Sequence, residues 1–316
     1  MVIGSVKSTA ETIQALVRHQ MNIIGILGHE PLHKEKISGW FDLKSLAIKC
    51  NISYKSFNKI NDKANIEWAA AKKPDIIFAV GFSQLLSDEW LNLPSLGCIG
   101  FHPTCLPRGR GRAPMAWIVL EERCGSATFF LMGKGIDDGP IFAQNIFQLD
   151  ENDDAGSVET KIIDSMNLSL DNWLPSLKKG IWNPIPQDDS GATWFGKRNQ
   201  EDGLIEWNRE AREIDRLIKA TSRPHPGAYT YFNNNKLIVW SSNVEDCLPI
   251  KGVTGRILLK DKDENCLVQC GSGLIWIKEK EFSGSTILKV GDKLGYSIED
   301  EIHKIWKELN RLTKNE

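Results

Sequence analysis

Basic excess is missing from this chain. Its 39 lysines and arginines stand against 41 aspartates and glutamates over 316 residues, a formal net charge of −2. A protein built mainly to grip nucleic acid favours a basic surface, so nucleic acid is not the expected partner, although a local basic patch stays open. The seven cysteines (Cys50, Cys98, Cys105, Cys124, Cys247, Cys266, Cys270) form no CxxC pair and no second cluster that would complete a zinc set. Scattered in this way they read as reduced thiols of a cytoplasmic protein. No apolar run approaches membrane-spanning length, and MVIGSVKSTAETIQ has no basic-then-apolar leader pattern. A cytoplasmic location and no membrane partner are therefore expected. No GxGxxG follows the first apolar run and no GxxxxGK[ST] occurs, which leaves dinucleotide and P-loop sites without support. Internal repeats and low-complexity segments are absent as well.

What is there alternates. VIGSV (2–6), NIIGIL (22–27), PDIIFAVGF (74–82), GCIGF (97–101) and SATFFLM (126–132) predict strands, separated by helical patterns at TAETIQALVRHQ, 42–49, 64–72 and 114–122. Continuous apolar strands between helices indicate a doubly wound α/β sheet covered on both faces. The pattern breaks at the turn-rich PIPQDDSGATWFGKRNQEDG, so the expected division is a catalytic domain over 1–190, a linker over 191–203 and a smaller domain over 204–316. In the latter, Asn208 is the expected cap of a helix carrying Ala211, Ile214, Leu217 and Ile218 on one face. AYTYF and KLIVW flank a hairpin turn at Asn233, Asn234 and Asn235, and further short strands predict a small β-barrel. A terminal amphipathic helix with Ile302, Ile305, Trp306 and Leu309 is expected to pack on its own domain.

The chemistry gathers at GCIGFHPTCLPRGRGRAP (97–114). Ligands of open α/β sheets bind beyond the carboxyl ends of strands, which is where His102 falls. The carboxylates of GKGIDDGP (133–140) lie in the loop after the next strand and can reach the same crevice. An imidazole beside a carboxylate makes a general base. Each piece alone reads more simply: His-Pro as loop packing, DDG as a turn, RGRGR as a phosphate cradle or as a solvated loop. Cys105 is a candidate nucleophile only by position, since nothing marks a lowered pKa.

Together the pieces are more specific. GFHPTCLPRGRGRAP followed by SATFFLMGKGIDDGPI resembles the formyltransferases that use 10-formyltetrahydrofolate, and PDIIFAVGFSQLLSDEWL is similar to their pterin-holding strand and loop. EDGLIEWNREAREIDRLIKATSRPHPGAYTYF resembles the start of their C-terminal subdomain, an OB-like barrel. The resemblance implies a Rossmann-like catalytic domain with His102 as base and Asp137 as its partner. It implies a folate site at Ser83, Gln84, Leu85, Leu86 and Asp137, and no metal. The family's usual Asn-x-His is departed from: Gly100 stands where the asparagine amide donates to the formyl oxygen. The reaction is attack by a neutral amine on a formyl carbon, and a lost oxyanion donor costs about 2–4 kcal/mol in comparable sites. A backbone N–H, a water or protonated His102 replaces it, or the chain is a catalytically degenerate folate- or sugar-binding protein.

Two acceptors compete. Methionyl-tRNA formyltransferases carry a basic insertion after the second strand, whereas GHEPLHKEKISGWFDLKSLAIKC is short and mixed in charge. Its ISGWFDL connection is similar to members that formylate nucleotide-linked amino deoxysugars for bacterial surface glycans such as lipopolysaccharide O-antigen. A nucleotide-linked amino sugar is thus the expected partner, with Arg110 and Arg112 as candidates for its pyrophosphate, and a homodimer is compatible with the family.

Overall fold

The computed structural model describes residues 1–34, 39–233, 235–282, 287–296 and 298–313, apart from the side chain of Asp300. Ile37 and Ser38 of ISGWFDL and the turn residue Asn234 lie outside the described residues. The chain divides into two compact units, Met1–Arg198 and Asn199–Glu316.

The first unit opens with β1 (Val2–Gly4), α1 (Lys7–Arg18), β2 (Ile26–His29), α2 (Leu43–Lys49), β3 (Tyr54–Phe57), α3 (Lys63–Ala70), β4 (Ile76–Ala79), α4 (Asp88–Leu91) and β5 (Gly97–His102). It continues with β6 (Arg110–Gly111), α5 (Pro114–Glu121), β7 (Cys124–Leu131), β8 (Ile141–Gln148), α6 (Ala155–Lys178) and β9 (Trp194–Phe195). Seven strands form one sheet in the order β3-β2-β1-β4-β5-β7-β8. The first five run parallel, as the continuous apolar runs imply. Helices cover both faces. Ala10, Ile13 and Leu16 of α1 join Leu43, Met166 and Leu170 in one core cluster, while Ile60, Ala69 and Trp90 pack with Ile3, Leu27 and Ile77 in another.

Two features depart from a purely parallel reading. β7 pairs antiparallel with β5 and with β8, so the sheet is mixed. The 24-residue α6, absent from the sequence expectation, crosses behind these strands. Its Ser165, Asn167, Ser169 and Asn172 are poor helix formers and Pro175 sits inside its last turns, so propensity hid it. Tertiary burial of Val158, Ile162, Met166, Leu170 and Leu174 sustains it, and Asp154 caps its start by accepting from the Ser157 N–H.

The second unit holds α7 (Ala211–Thr221), β10 (Ala228–Phe232), β11 (Asn235–Val239), β12 (Ser242–Glu245), β13 (Ile257–Lys260), β14 (Cys266–Gln269), β15 (Leu274–Ile277), β16 (Lys280–Phe282) and α8 (Ile298–Thr313). Its strands are antiparallel and form a three-stranded sheet β10-β11-β16 and a four-stranded sheet β12-β15-β14-β13 around one core. Asn208 does not cap α7: the helix starts at Ala211 behind Glu210, because the Ala211 N–H is taken by the Ser272 carbonyl. Nor does α8 bury its stripe. Ile302, Ile305, Trp306 and Leu309 are 55–61% exposed, the core having been filled by Ile214 and Ile218 of α7 and the two sheets. Among the described residues no helix is long and apolar enough to cross a membrane.

Candidate active site

His102 is the last residue of β5 and only 5% exposed. The chain then turns through Pro103–Leu106, which β7 and β8 pin in place: Thr128 Oγ1 donates to the Thr104 carbonyl, and Gln144 Nε2 to the Leu106 carbonyl. It returns as the glycine–arginine loop. His102 Nε2 lies 2.8 Å from the Gly109 carbonyl oxygen. A carbonyl can only accept, so Nε2 carries the proton and Nδ1 is the basic nitrogen of the neutral ring. Nδ1 faces Asp137 Oδ2 at 3.6 Å. This is too long for a hydrogen bond and close enough for a carboxylate to stabilise positive charge on the ring.

Because β7 runs antiparallel to β5, its exit at Leu131 lies beside Ile99, not beside His102. The loop reaches the histidine by doubling back. Leu131 N–H closes its base on the Pro140 carbonyl, and Asp137 takes a left-handed φ of +52°, which aspartate tolerates better than most residues. The Gly111 N–H then donates to Asp137 Oδ2 at 2.9 Å. The side chain of Asp138 is exposed and takes no part in this contact.

RGRGR is therefore part buried and part exposed, with Arg110 inside and Arg112 at the surface. Gly109 supplies the carbonyl for His102 and Gly111 the N–H for Asp137, so the loop is the frame of the pair. Gly111 has a φ of +110°, and a Cβ there would run into the Phe195 carbonyl oxygen, so only glycine fits. Arg110, expected to meet substrate, is 3% exposed and already engaged. Its guanidinium donates to Gln187 Oε1 at 2.8 Å and to Asp189 Oδ1 at 2.6 Å. Arg112 is exposed and has no side-chain partner among the described residues.

Sequence reasoning missed Gln187 and Thr193, both in or beside the stretch read as a linker. Gln187 Nε2 donates to the carbonyls of Asp137 (2.9 Å) and Gly139 (2.7 Å), so one amide ties the Arg110 side chain to the acidic loop. Thr193 Oγ1 accepts from the Gly109 N–H, and β9 pairs in parallel with β6. Nothing local in PIPQDDSGATWF marks these roles. Replacing Gln187 with leucine is expected to leave Arg110 and two carbonyls short of partners. It should cost about 1–3 kcal/mol of stability in a denaturant melt and lower turnover by loosening Asp137.

Gly100 lies two residues before His102, between Ala79 of β4 and Phe130 of β7. A Cβ at this position would stand 2.7 Å from Phe130 Cζ and 3.0 Å from Met132 Cγ. The space an asparagine would need is filled by an aromatic ring.

The loop after β4 carries the remaining candidates. Gln84 turns inward, accepting from the Ile60 N–H and donating to the Asn58 carbonyl, so its side chain braces the neighbouring loop. Leu86 and Phe82 pack on the core, whereas Leu85 is 81% exposed. Among the described residues the backbone N–H groups of 82–86 find no partner, the Ser83 side chain makes no hydrogen bond, and the buried Ser87 hydroxyl is unpaired. Such a row of free donors beside apolar side chains fits a flat heterocycle with a hydrogen-bonding edge. Among the described residues no group of three or more histidine, cysteine or acidic side chains is arranged to hold a metal.

Cys105 meets Cys124 at 3.2 Å, and burial pushes its thiol up to about 12. A thiol so hard to ionise is a poor nucleophile at neutral pH. Cys105→Ser is expected to keep wild-type turnover; a loss of more than about tenfold would restore the thiol to the mechanism.

Comparison with known proteins identifies the family. The profile described as "Formyl transferase" matches residues 12–170, and "Formyl transferase, C-terminal domain" matches 197–295. The chain belongs to the formyl transferase family. It is 30% identical over 233 residues to the bifunctional polymyxin resistance protein ArnA of Wigglesworthia glossinidia brevipalpis, covering 73% of this chain but 36% of that one. This formyltransferase thus spans about a third of the length of that relative. It is 27% identical over 309 residues to the methionyl-tRNA formyltransferase of Ruminiclostridium cellulolyticum, covering 96% and 98% of the two chains. In fold it is similar to an N-formyltransferase from Helicobacter canadensis solved with folinic acid and dTDP-3-aminofucose. There the TM-score is 0.66 at 15% identity, over 89% of this chain and 98% of the other.

Proposed function

We propose that this formyltransferase moves a formyl group from 10-formyltetrahydrofolate to the primary amine of a nucleotide-linked amino deoxysugar, in the making of bacterial surface glycans. The observation that carries the reading is the buried His102 with its basic Nδ1 turned toward Asp137, beside a loop of unpaired backbone donors. The folate, when bound, supplies an activated formyl carbon. The 82–86 loop binds its pterin edge through backbone groups, and Asp137 sits at the junction of donor site and histidine. His102 Nδ1 takes the proton given up by the attacking amine and returns it to the departing nitrogen, so the ring is unchanged over the cycle. Asp137 holds the ring's charged form. That cation, rather than an amide, stabilises the developing oxygen, since Phe130 excludes a side chain at position 100. In the same reading the two sheets of the second unit are an OB-like barrel.

The choice of acceptor rests on the net charge of −2 and on the short, mixed-charge connection before α2. Of its described residues, Trp40 and Phe41 lie along the exits of β1 and β2: Phe41 N–H donates to the Ser5 carbonyl, and Trp40 Nε1 to the His29 carbonyl. A second reading, methionyl-tRNA as acceptor, is favoured by the 27% identity over nearly the whole chain. Incubation with 10-formyltetrahydrofolate, a panel of amino-sugar nucleotides and methionyl-tRNA, read by mass, separates the two. Formylation of a sugar nucleotide is expected. Transfer to methionyl-tRNA alone would move the assignment to the second reading, and folate binding without any product would make the chain non-catalytic.

A further inference from the structure

We infer that Trp194 is a stacking platform for the base of a nucleoside diphosphate, with Arg112 and Lys197 placed to meet its phosphates; this rests on the nucleotide-linked acceptor proposed above. Trp194 is 62% exposed, yet it is held firmly. It pairs in register with Arg110, whose neighbours Gly109 and Gly111 hold His102 and Asp137. The indole is thus one strand spacing from the frame of the catalytic pair. The buried Arg110 guanidinium, fixed by Gln187 and Asp189, backs the ring at 5.7 Å. A planar cation on one face leaves the other open, and flat bases stack on such faces with little regard to their identity.

The surroundings match a phosphorylated ligand. Phe195 stacks on Trp117 at 5.6 Å, and Trp117 Nε1 donates to the Gly196 carbonyl, so the backbone following Trp194 is anchored. A Cβ built on Gly196 meets nothing within 4 Å, so open space adjoins the platform. Arg112 and Lys197 are exposed here, and neither has a side-chain partner among the described residues. Asp188 and Asp189 are the nearby opposing charges, with Asp189 already paired to Arg110. An aromatic face with two uncommitted cations beside a formyl-transfer centre suits a base and diphosphate better than it suits a bare sugar.

Calorimetric titration of the full chain with UDP, dTDP and GDP tests this without turnover. Wild-type protein is expected to bind at least one of them, Trp194→Ala to weaken that binding about ten- to a hundredfold, and Trp194→Phe to keep most of it. Arg112→Ala and Lys197→Ala should shrink the preference for the diphosphate over the nucleoside. In kinetics the loss should fall on the acceptor KM and spare the donor KM. Equal diphosphate binding by wild type and Trp194→Ala overturns the platform and leaves the acceptor reading standing. A wild type that binds none of the three and formylates an amine without a nucleotide overturns both.

Discussion

His102→Ala is expected to lower kcat by about 10²–10⁴, the range general acid–base groups contribute, with donor binding little changed. The ring stands at the carboxyl end of β5 with one nitrogen already fixed by the Gly109 carbonyl, which leaves the other to take a proton from an amine. Asp137→Asn should cost less. An amide oxygen can still accept from the Gly111 N–H, so position is kept while charge is removed. At 3.6 Å and an effective dielectric near 20, a carboxylate stabilises an imidazolium by up to about 4.6 kcal/mol. Partial exposure of Asp137 reduces this to ~2–3 kcal/mol, or about 30- to 150-fold in kcat. Steady-state kinetics with a saturating acceptor reads both values. Full turnover by either variant would remove that residue from the chemistry.

Gly100→Asn is expected to harm the protein rather than repair it. The new side chain would have to displace the Phe130 ring, itself 3% exposed, from a strand pair in the centre of the sheet. Overpacking of this kind costs about 1–3 kcal/mol, which a thermal melt resolves, and the shifted strand would carry His102 with it. A Gly100→Asn/Phe130→Ala double variant opens the room the amide needs. If an amide donor helps, it should exceed Gly100→Asn in kcat, while loss of the buried Phe130 ring costs about 3–5 kcal/mol of stability. Were Gly100→Asn alone both stable and faster than wild type, the cation on His102 would not be the sufficient oxyanion partner proposed here.

Much of the site was legible because it is written in contiguous residues. His102 at a strand end and Asp137 in a DDG loop follow from local patterns, and the resemblance of the two motifs joined them. The direction of β7 was not legible, since apolar periodicity is the same for parallel and antiparallel strands. For the same reason Gly100 could be seen as a gap but not as a filled one: Phe130 stands opposite it only through the β5–β7 register. Gln187 and Thr193 lay hidden in a polar, turn-rich stretch whose residues act through tertiary hydrogen bonds. Folding gives that stretch to the catalytic unit as far as Arg198. In α6, serines, asparagines and a proline masked a helix that burial alone maintains. At α8 the stripe was readable, but amphipathicity says only that a face is apolar, not what covers it.

We propose that His102 and Asp137 act as one unit, and a double-mutant cycle on kcat reads that coupling. If the carboxylate works only through the ring, His102→Ala/Asp137→Asn will fall within about twofold of His102→Ala alone, since the acid has nothing left to stabilise. If the two single losses instead multiply in the double variant, the residues contribute independently and the pairing proposed here is wrong.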